Sequence, residues 1–487
     1  MDTNRRTLLV ALAIAASCLA YLGTFTSYGI NLEDEGTVLS QMARFASGQE
    51  LYTDFHIGYT PGVYWVHGLL LRTFDGNLIP GRLALALATS TAAVLLFLLT
   101  WKLSGRLWLS ALAPLLYIAT IPVHPGAFAS FNIPYPVWYA VPLSVAGMLA
   151  LLRFGQSGAY RWLAVAGLIA GVTFSFKPNT GLFQLAVTSM VTLAVIPLQH
   201  QGDRKWTARG KSLLWWSWWL SVLGGVALVF SGATSLREPY MLVTPFAVGA
   251  LLVAWRSAVV PPGDTPPSTA KSATVLGLSF LLPTAPWLLY YHHRLGTQHF
   301  LERALYFRAE LETFYYYPIP PLLVASVTGL AALLLLTLLP KRLGTSRIRP
   351  GHLLIGFAMV VIAGLIVATQ IRPMPEGFYK AVMSQFEFRI FAASAVVHWI
   401  ALWMLARSIG TTAASRAFSL RMTVMAMAAI GLYLPIYPRS DYMHWVTAGP
   451  LTLVAATVLL SFLADRWSEA SSPALRRAVA VTLATPL

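Results

Sequence analysis

Three short stretches of this chain carry side chains able to do chemistry together. The first is Asn31-Leu32-Glu33-Asp34-Glu35-Gly36, three consecutive acids at the end of an apolar run. Like charges this close raise carboxylate pKa values unless a metal or a basic side chain compensates. A carboxylate tuned in this way beside a bilayer is what a general base for a hydroxyl acceptor requires. The second stretch places Lys177 after Phe176, and the third is Pro438-Arg439-Ser440-Asp441-Tyr442-Met443-His444. Their cations suit the stabilisation of negative charge developing on a departing group. Arg serves as a bidentate clamp, and Lys or His as a point charge or hydrogen-bond donor. Each stretch also has a plainer reading. Asn31 and Asp34 have the spacing of a helix cap, Lys177 can snorkel to a membrane surface, and Arg439 and Asp441 can form a local ion pair.

The elements that must position these residues are apolar helices. The 487-residue chain is 57% hydrophobic and only 11% charged, whereas soluble domains carry roughly 25% charged residues. A bilayer crossing needs roughly 20 apolar residues. The apolar runs here are too long and too uniform for the alternating strands of a membrane barrel. The sequence therefore predicts an all-α polytopic membrane protein in one domain over 1–487. Fourteen apolar segments run from one near 7–29 to one near 446–463, and those near 107, 137 and 162 are short. The expected bundle has about 12–14 spanning helices.

Charge supplies the orientation. Arg5 and Arg6 place the N-terminus in the cytoplasm, and alternation then sorts about two thirds of the Lys and Arg residues to the cytoplasmic side and most acids to the other. The net charge of +16 is thus a topology signal and a contact for anionic lipids, not a nucleic-acid footprint. The same topology makes 30–80 the first outer loop and 465–487 a cytoplasmic tail. Cys18 is the only cysteine, so no intrachain disulfide forms. Gly167 and Gly171 have the spacing of close helix packing.

The first outer loop is too long for a simple hairpin. Val38, Leu39, Met42 and Phe45 recur at helical spacing, which predicts a short amphipathic helix along the interface. Gly48, Tyr52 and Asp54 follow, then His56, Tyr59 and a Pro61-Gly62-Val63-Tyr64-Trp65 turn, with Arg82 opening the second span. Between 122 and 136, His124, Asn132 and Tyr135 are candidate sugar hydrogen-bonders.

This ordered pattern over 30–85 resembles the GT-C glycosyltransferases, in particular the bacterial branch related to protein O-mannosyltransferases and lipid A aminoarabinose transferases. Over the rest of the chain the likeness is one of topology. The resemblance implies a GT-C-like bundle with interfacial helices in the first outer loop, in a bacterial inner membrane with the active site outside. It implies a polyprenyl-phosphate sugar as donor and an envelope lipid, glycan or protein as acceptor. Asp34 matches the family's catalytic base, with Glu35 beside it and, in some members, a divalent metal such as Mg or Mn, here shared with Glu35 or Asp54. Lys177, Arg439, His444 and Arg82 are the expected donor-phosphate ligands. Tyr52, Asp54, His56, Tyr59, Tyr64, Asn132 and Asp441 are the expected substrate contacts. The chain departs from the aminoarabinose pattern at Tyr59-Thr60, where relatives carry a basic residue before the proline. That charge must come from elsewhere, with His56 nearest in sequence, or the donor differs. Two rivals stand beside this reading: a secondary transporter, disfavoured by the lack of an acid deep in a span, and a non-catalytic scaffold or flippase partner.

Overall fold

The computed structural model describes residues 3–121, 130–197, 205–231, 233, 237–260, 266–304, 316, 319, 378–410 and 412–469. Among them every regular element is helical, apart from isolated bridge residues: Leu51 and Phe55, which pair, and Gly29 and Arg439. The helices are α1 (Thr3–Gly23), α2 (Asp34–Ala46), α3 (Pro61–Thr73), α4 (Ile79–Ser104), α5 (Leu112–Thr120), α6 (Val137–Ser157), α7 (Tyr160–Phe176) and α8 (Pro178–Val195). They continue with α9 (Lys205–Val229), α10 (Thr244–Val259), α11 (Thr269–Arg303), α12 (Phe378–Ser408), α13 (Ala413–Gly431), α14 (Tyr442–Ala448) and α15 (Pro450–Glu469). Proline opens α3, α4 and α8 within their first two positions, where its missing N–H is no loss and its fixed φ already suits the helix.

Eight helices among the described residues are long and apolar enough to cross a membrane, and α14 with α15, bent by 63°, makes a ninth. The chain is an all-α polytopic membrane protein. Twelve of the fourteen expected segments fall in described residues, and each coincides with a helix. Three are poorer candidates for spans: α5 has 9 residues and α7 has 17, while α8 opens with the polar run Pro178-Asn179-Thr180. The helix expected to be short near 137 is instead a full 21 residues. The segments expected near 321–339 and 352–370 lie outside the described residues, as do His124 and the tail beyond 469.

Two large packed cores divide the bundle, beside a small cluster of Phe154, Leu163 and Leu276. The larger gathers side chains of α1, α4, α5, α6, α8, α9, α10, α12, α13 and α15. The smaller joins Val38 and Met42 of α2, Val63 and Tyr64 of α3 and the intervening Leu51, Tyr52, Phe55 and Ile57 to Phe174, Trp287, Tyr291 and Phe300. The segment between α1 and α4 is therefore a small subdomain seated on the end of α7 and the second half of α11. The expected amphipathic helix is α2, with Val38 and Met42 buried. The expected turn at Pro61–Trp65 is instead the first turn of α3. Gly167 and Gly171 do mark close packing, because a Cβ at Gly171 would come within 2.3 Å of the Phe280 carbonyl on α11.

Candidate functional site

The site is built outward from the junction of α1 and α2. Asn31 caps α2, its Oδ1 accepting the backbone N–H groups of Glu33 and Asp34 at 2.9 and 3.1 Å. Glu35, not Asp34, reaches back to the Asn31 N–H, at 3.3 Å. The Glu35 carboxylate is 1% exposed and receives Arg82 Nη2 at 2.8 Å and Nε at 3.1 Å. Burial pushes the Glu35 carboxyl upward against the hydrogen bonds and charge of Arg82. Arg82 also donates to the carbonyls of Thr26, Tyr28 and Gly29. All five guanidinium N–H groups are thereby engaged within the fold. Arg82 is a buried clamp between the exit of α1 and the start of α2, with no donor left for a phosphate, and Glu35 is its counter-ion. Both expectations for these residues change on that geometry.

The clamp leaves Asp34 pointing the other way. Asp34 is exposed, and its Oδ2 accepts the Tyr135 hydroxyl at 2.9 Å. Burial, then the neighbouring Tyr59 and Asp34, raise the Tyr135 phenol above its ordinary pKa, while Arg439 pulls it down. The phenol stays protonated and is the donor. Tyr135 is stiffened by Pro134 and Pro136, and its ring lies 6.3 Å from that of Tyr59, edge to face.

Tyr59 leads into the next wall. The Tyr52 hydroxyl donates to the Tyr59 carbonyl at 3.0 Å, and Thr60 Oγ1 donates to the Phe176 carbonyl at 2.8 Å. Gly62 permits this approach, since a Cβ there would meet the Ser175 carbonyl at 2.7 Å. The departure from the family pattern at Thr60 thus lies one peptide from Lys177, which occupies the hinge between α7 and α8. Lys177, rather than His56, brings a cation to this turn. Desolvation lowers the Lys177 ammonium to about 8, with Asp441 opposing the shift.

Asp441 is the node of the last wall. Its Oδ1 accepts His444 Nδ1 at 2.7 Å and the His444 backbone N–H at 2.9 Å, and its Oδ2 accepts Arg439 Nε. Burial acts to raise the Asp441 carboxyl, but the His444 hydrogen bond and charge, with Arg439, outweigh it and hold the group below the usual carboxylate value. The Tyr442 hydroxyl ties this segment to the Thr120 carbonyl at the end of α5.

The structure therefore gathers Asp34, Tyr59, Tyr135, Lys177, Arg439, Asp441 and His444 at one end of the bundle, from segments far apart in the chain. The remaining expected residues serve the fold. Tyr52 is 1% exposed at a φ of 65°, a conformation uncommon outside glycine. Asp54 accepts the Glu50 N–H at 2.7 Å, and the Tyr64 hydroxyl donates to Gln41 at 2.7 Å. His56 lies exposed on the subdomain surface. Asn132, 1% exposed, donates to the Phe25 carbonyl at 2.8 Å, while its Oδ1 has no hydrogen-bond partner among the described residues. It helps to line a shallow recess with room for about one water molecule, together with Glu35, His67, Leu78 and Arg82.

The donor set around Asp34 does not fit a divalent cation. Its two expected co-ligands are committed elsewhere, Glu35 to Arg82 and Asp54 to a backbone N–H. Among the described residues, no three His, Cys, Asp or Glu side chains are grouped to hold a metal. Tyr135 was legible only as one sugar hydrogen-bonder among three, and its flanking prolines were the available sign of a fixed position.

No protein-family model matches the chain, and a search of curated proteins finds no significant match.

Proposed function

We propose that the protein is a GT-C-like, inverting glycosyltransferase that moves a sugar from a polyprenyl-phosphate donor to a hydroxyl or amine of a cell-envelope acceptor. The observation that carries this reading is the convergence of one exposed carboxylate, Asp34, with Lys177, Arg439 and the imidazole of His444 at one end of a membrane bundle. Asp34 takes the acceptor proton as the acceptor attacks the sugar carbon from the face opposite the phosphate. The Tyr135 hydroxyl fixes the Asp34 rotamer and leaves the second carboxylate oxygen for the acceptor. Lys177, Arg439 and His444 stabilise the phosphate as it departs. The donor's apolar tail stays in the bilayer, which explains an active site at the membrane surface. In the orientation set by the basic loops this surface is the outer one.

The test is transfer in membranes supplied with a panel of polyprenyl-phosphate sugars, read on extracted envelope lipid, glycan and protein. Wild type should transfer at least one sugar, and Asp34→Asn at equal protein level should lose activity by about 100-fold or more. Equal transfer by the variant would remove Asp34 as the base and the proposed mechanism with it.

A further inference from the structure

We propose that Asp441 is a positioning residue for His444, holding the imidazole so that Nε2 faces the departing phosphate as a proton donor. The inference rests on the transferase reading and replaces the expectation that Asp441 itself contacts substrate.

The geometry begins with a carboxylate three of whose roughly four acceptor sites are already taken by its neighbours. Oδ1 holds both the ring Nδ1 and the backbone N–H of His444, at 2.7 and 2.9 Å, and Oδ2 holds Arg439 Nε. An ionised carboxylate only accepts, so the proton on the near side of the ring belongs to Nδ1. In the neutral imidazole the lone pair then lies on Nε2, and in the charged form Nε2 gains the transferable proton. No described residue makes a hydrogen bond to Nε2, and the side chain is 35% exposed. The backbone bond from His444 back to Asp441 anchors the carboxylate to the start of α14. Rotating the ring would therefore break the 2.7 Å contact without moving its partner.

The charged and titratable groups facing this pair are Arg439 on Asp441, Lys177 from the α7–α8 hinge, and Tyr135 with Asp34 beyond Arg439. In the proposed step, the bond between the sugar carbon and the phosphate oxygen breaks, and its electron pair goes to that oxygen. The imidazolium Nε2 delivers its proton there. The acceptor oxygen or nitrogen bonds to the sugar carbon, and its proton goes to Asp34. Turnover leaves Asp34 protonated and His444 neutral, and solvent exchange restores both. The work divides between a base on the first outer loop and an acid on the last one.

The experiment uses full-length protein labelled with nitrogen-15 histidine in detergent, with His444→Gln to assign the His444 signal. In wild type, neutral His444 should carry its proton on Nδ1. In Asp441→Asn that preference should be lost. The kinetic arm compares transfer by wild type and Asp441→Asn at equal protein level, and the variant should be slower by about tenfold. An unchanged tautomer in Asp441→Asn would overturn the positioning role. A lost tautomer preference with unchanged transfer would overturn the proton donation by His444. Absence of transfer by wild type from every donor counts against the transferase reading, and the nitrogen spectrum still decides the pairing.

Discussion

Two arginines, one at each end of the bundle, are almost equally buried and are treated in opposite ways. Arg82, 5% exposed, meets a carboxylate and three carbonyls beside the Asp34 site. Among the described residues, Arg256, 4% exposed, meets neutral oxygens: Ser419 Oγ and the carbonyls of Ala194 and Arg416. At the Arg256 end, further cations rest on aromatic rings, as Lys271 does on Tyr160 at 4.4 Å and Lys102 on Trp101 at 4.3 Å. The difference separates two uses of charge. Where the scaffold's own charge is cancelled, as by Glu35, the nearby Lys177, Arg439 and His444 are the groups that the proposed function sets against a ligand. Where the described partners of a buried arginine are neutral, as at Arg256, it stands at the end of the bundle that the positive-inside rule would turn to the cytoplasm.

The sharpest way to break this contrast is to delete the partner at each end. Glu35→Ala strands a buried guanidinium charge and should lower stability by about 3–5 kcal/mol. Ser419→Ala removes one neutral acceptor among several and should cost about 1 kcal/mol. Thermal unfolding in detergent measures both, and equal losses would erase the distinction. A smaller effect is expected from the partly desolvated lysine. Lys177 is charged below about 8, so transfer should fall as pH rises through that value. In Lys177→Arg the charge persists and this limb should disappear from the pH–rate profile. The same desolvation sets the sign of its stability contribution. The folded state binds fewer protons than the unfolded between about 8 and the ordinary lysine value of 10.5, so stability should rise with pH across that window. The smallest effect belongs to Tyr135→Phe. It should slow transfer by about tenfold while leaving the unfolding temperature unchanged, since the Asp34 bond it removes is exposed. A large loss of stability instead would make Tyr135 a packing residue and not a partner of the base.

The legible features were those encoded over a few adjacent residues. Hydropathy marks the helices because each crossing must satisfy its own backbone in lipid, and the apolar spacing of Val38 and Met42 marks α2. The three polar stretches at Asp34, Lys177 and Arg439–His444 were visible as types and positions, and the structure brings them to one end. Hidden from the sequence were roles decided by partners across space. Glu35 and Asp34 are adjacent in the chain, yet Arg82, 47 residues on, draws one inward, while Tyr135, 101 residues on, holds the other. Tyr52, Asp54 and Tyr64 have the polarity of substrate ligands, but the Tyr59 carbonyl, the Glu50 N–H and Gln41 already occupy them. Pro61-Gly62 has turn chemistry, and only the packing of Gly62 against Ser175 shows why it starts a helix there.

The smaller core also sets a timetable for biogenesis. Its early half, Val38 to Leu71, leaves the ribosome long before Phe174, Trp287, Tyr291 and Phe300, against which it packs. Glu50 likewise waits for Tyr290 and Arg294, which it meets at 2.7 and 2.6 Å. At about 5–20 residues per second, the nascent loop stands without its platform for on the order of 10–50 s. During that interval the acidic motif lies in a loop that has no finished shape. A chain stopped before α11 would therefore carry Asp34 in an unassembled loop, and the proposed activity would begin only when its ninth described apolar segment is in place.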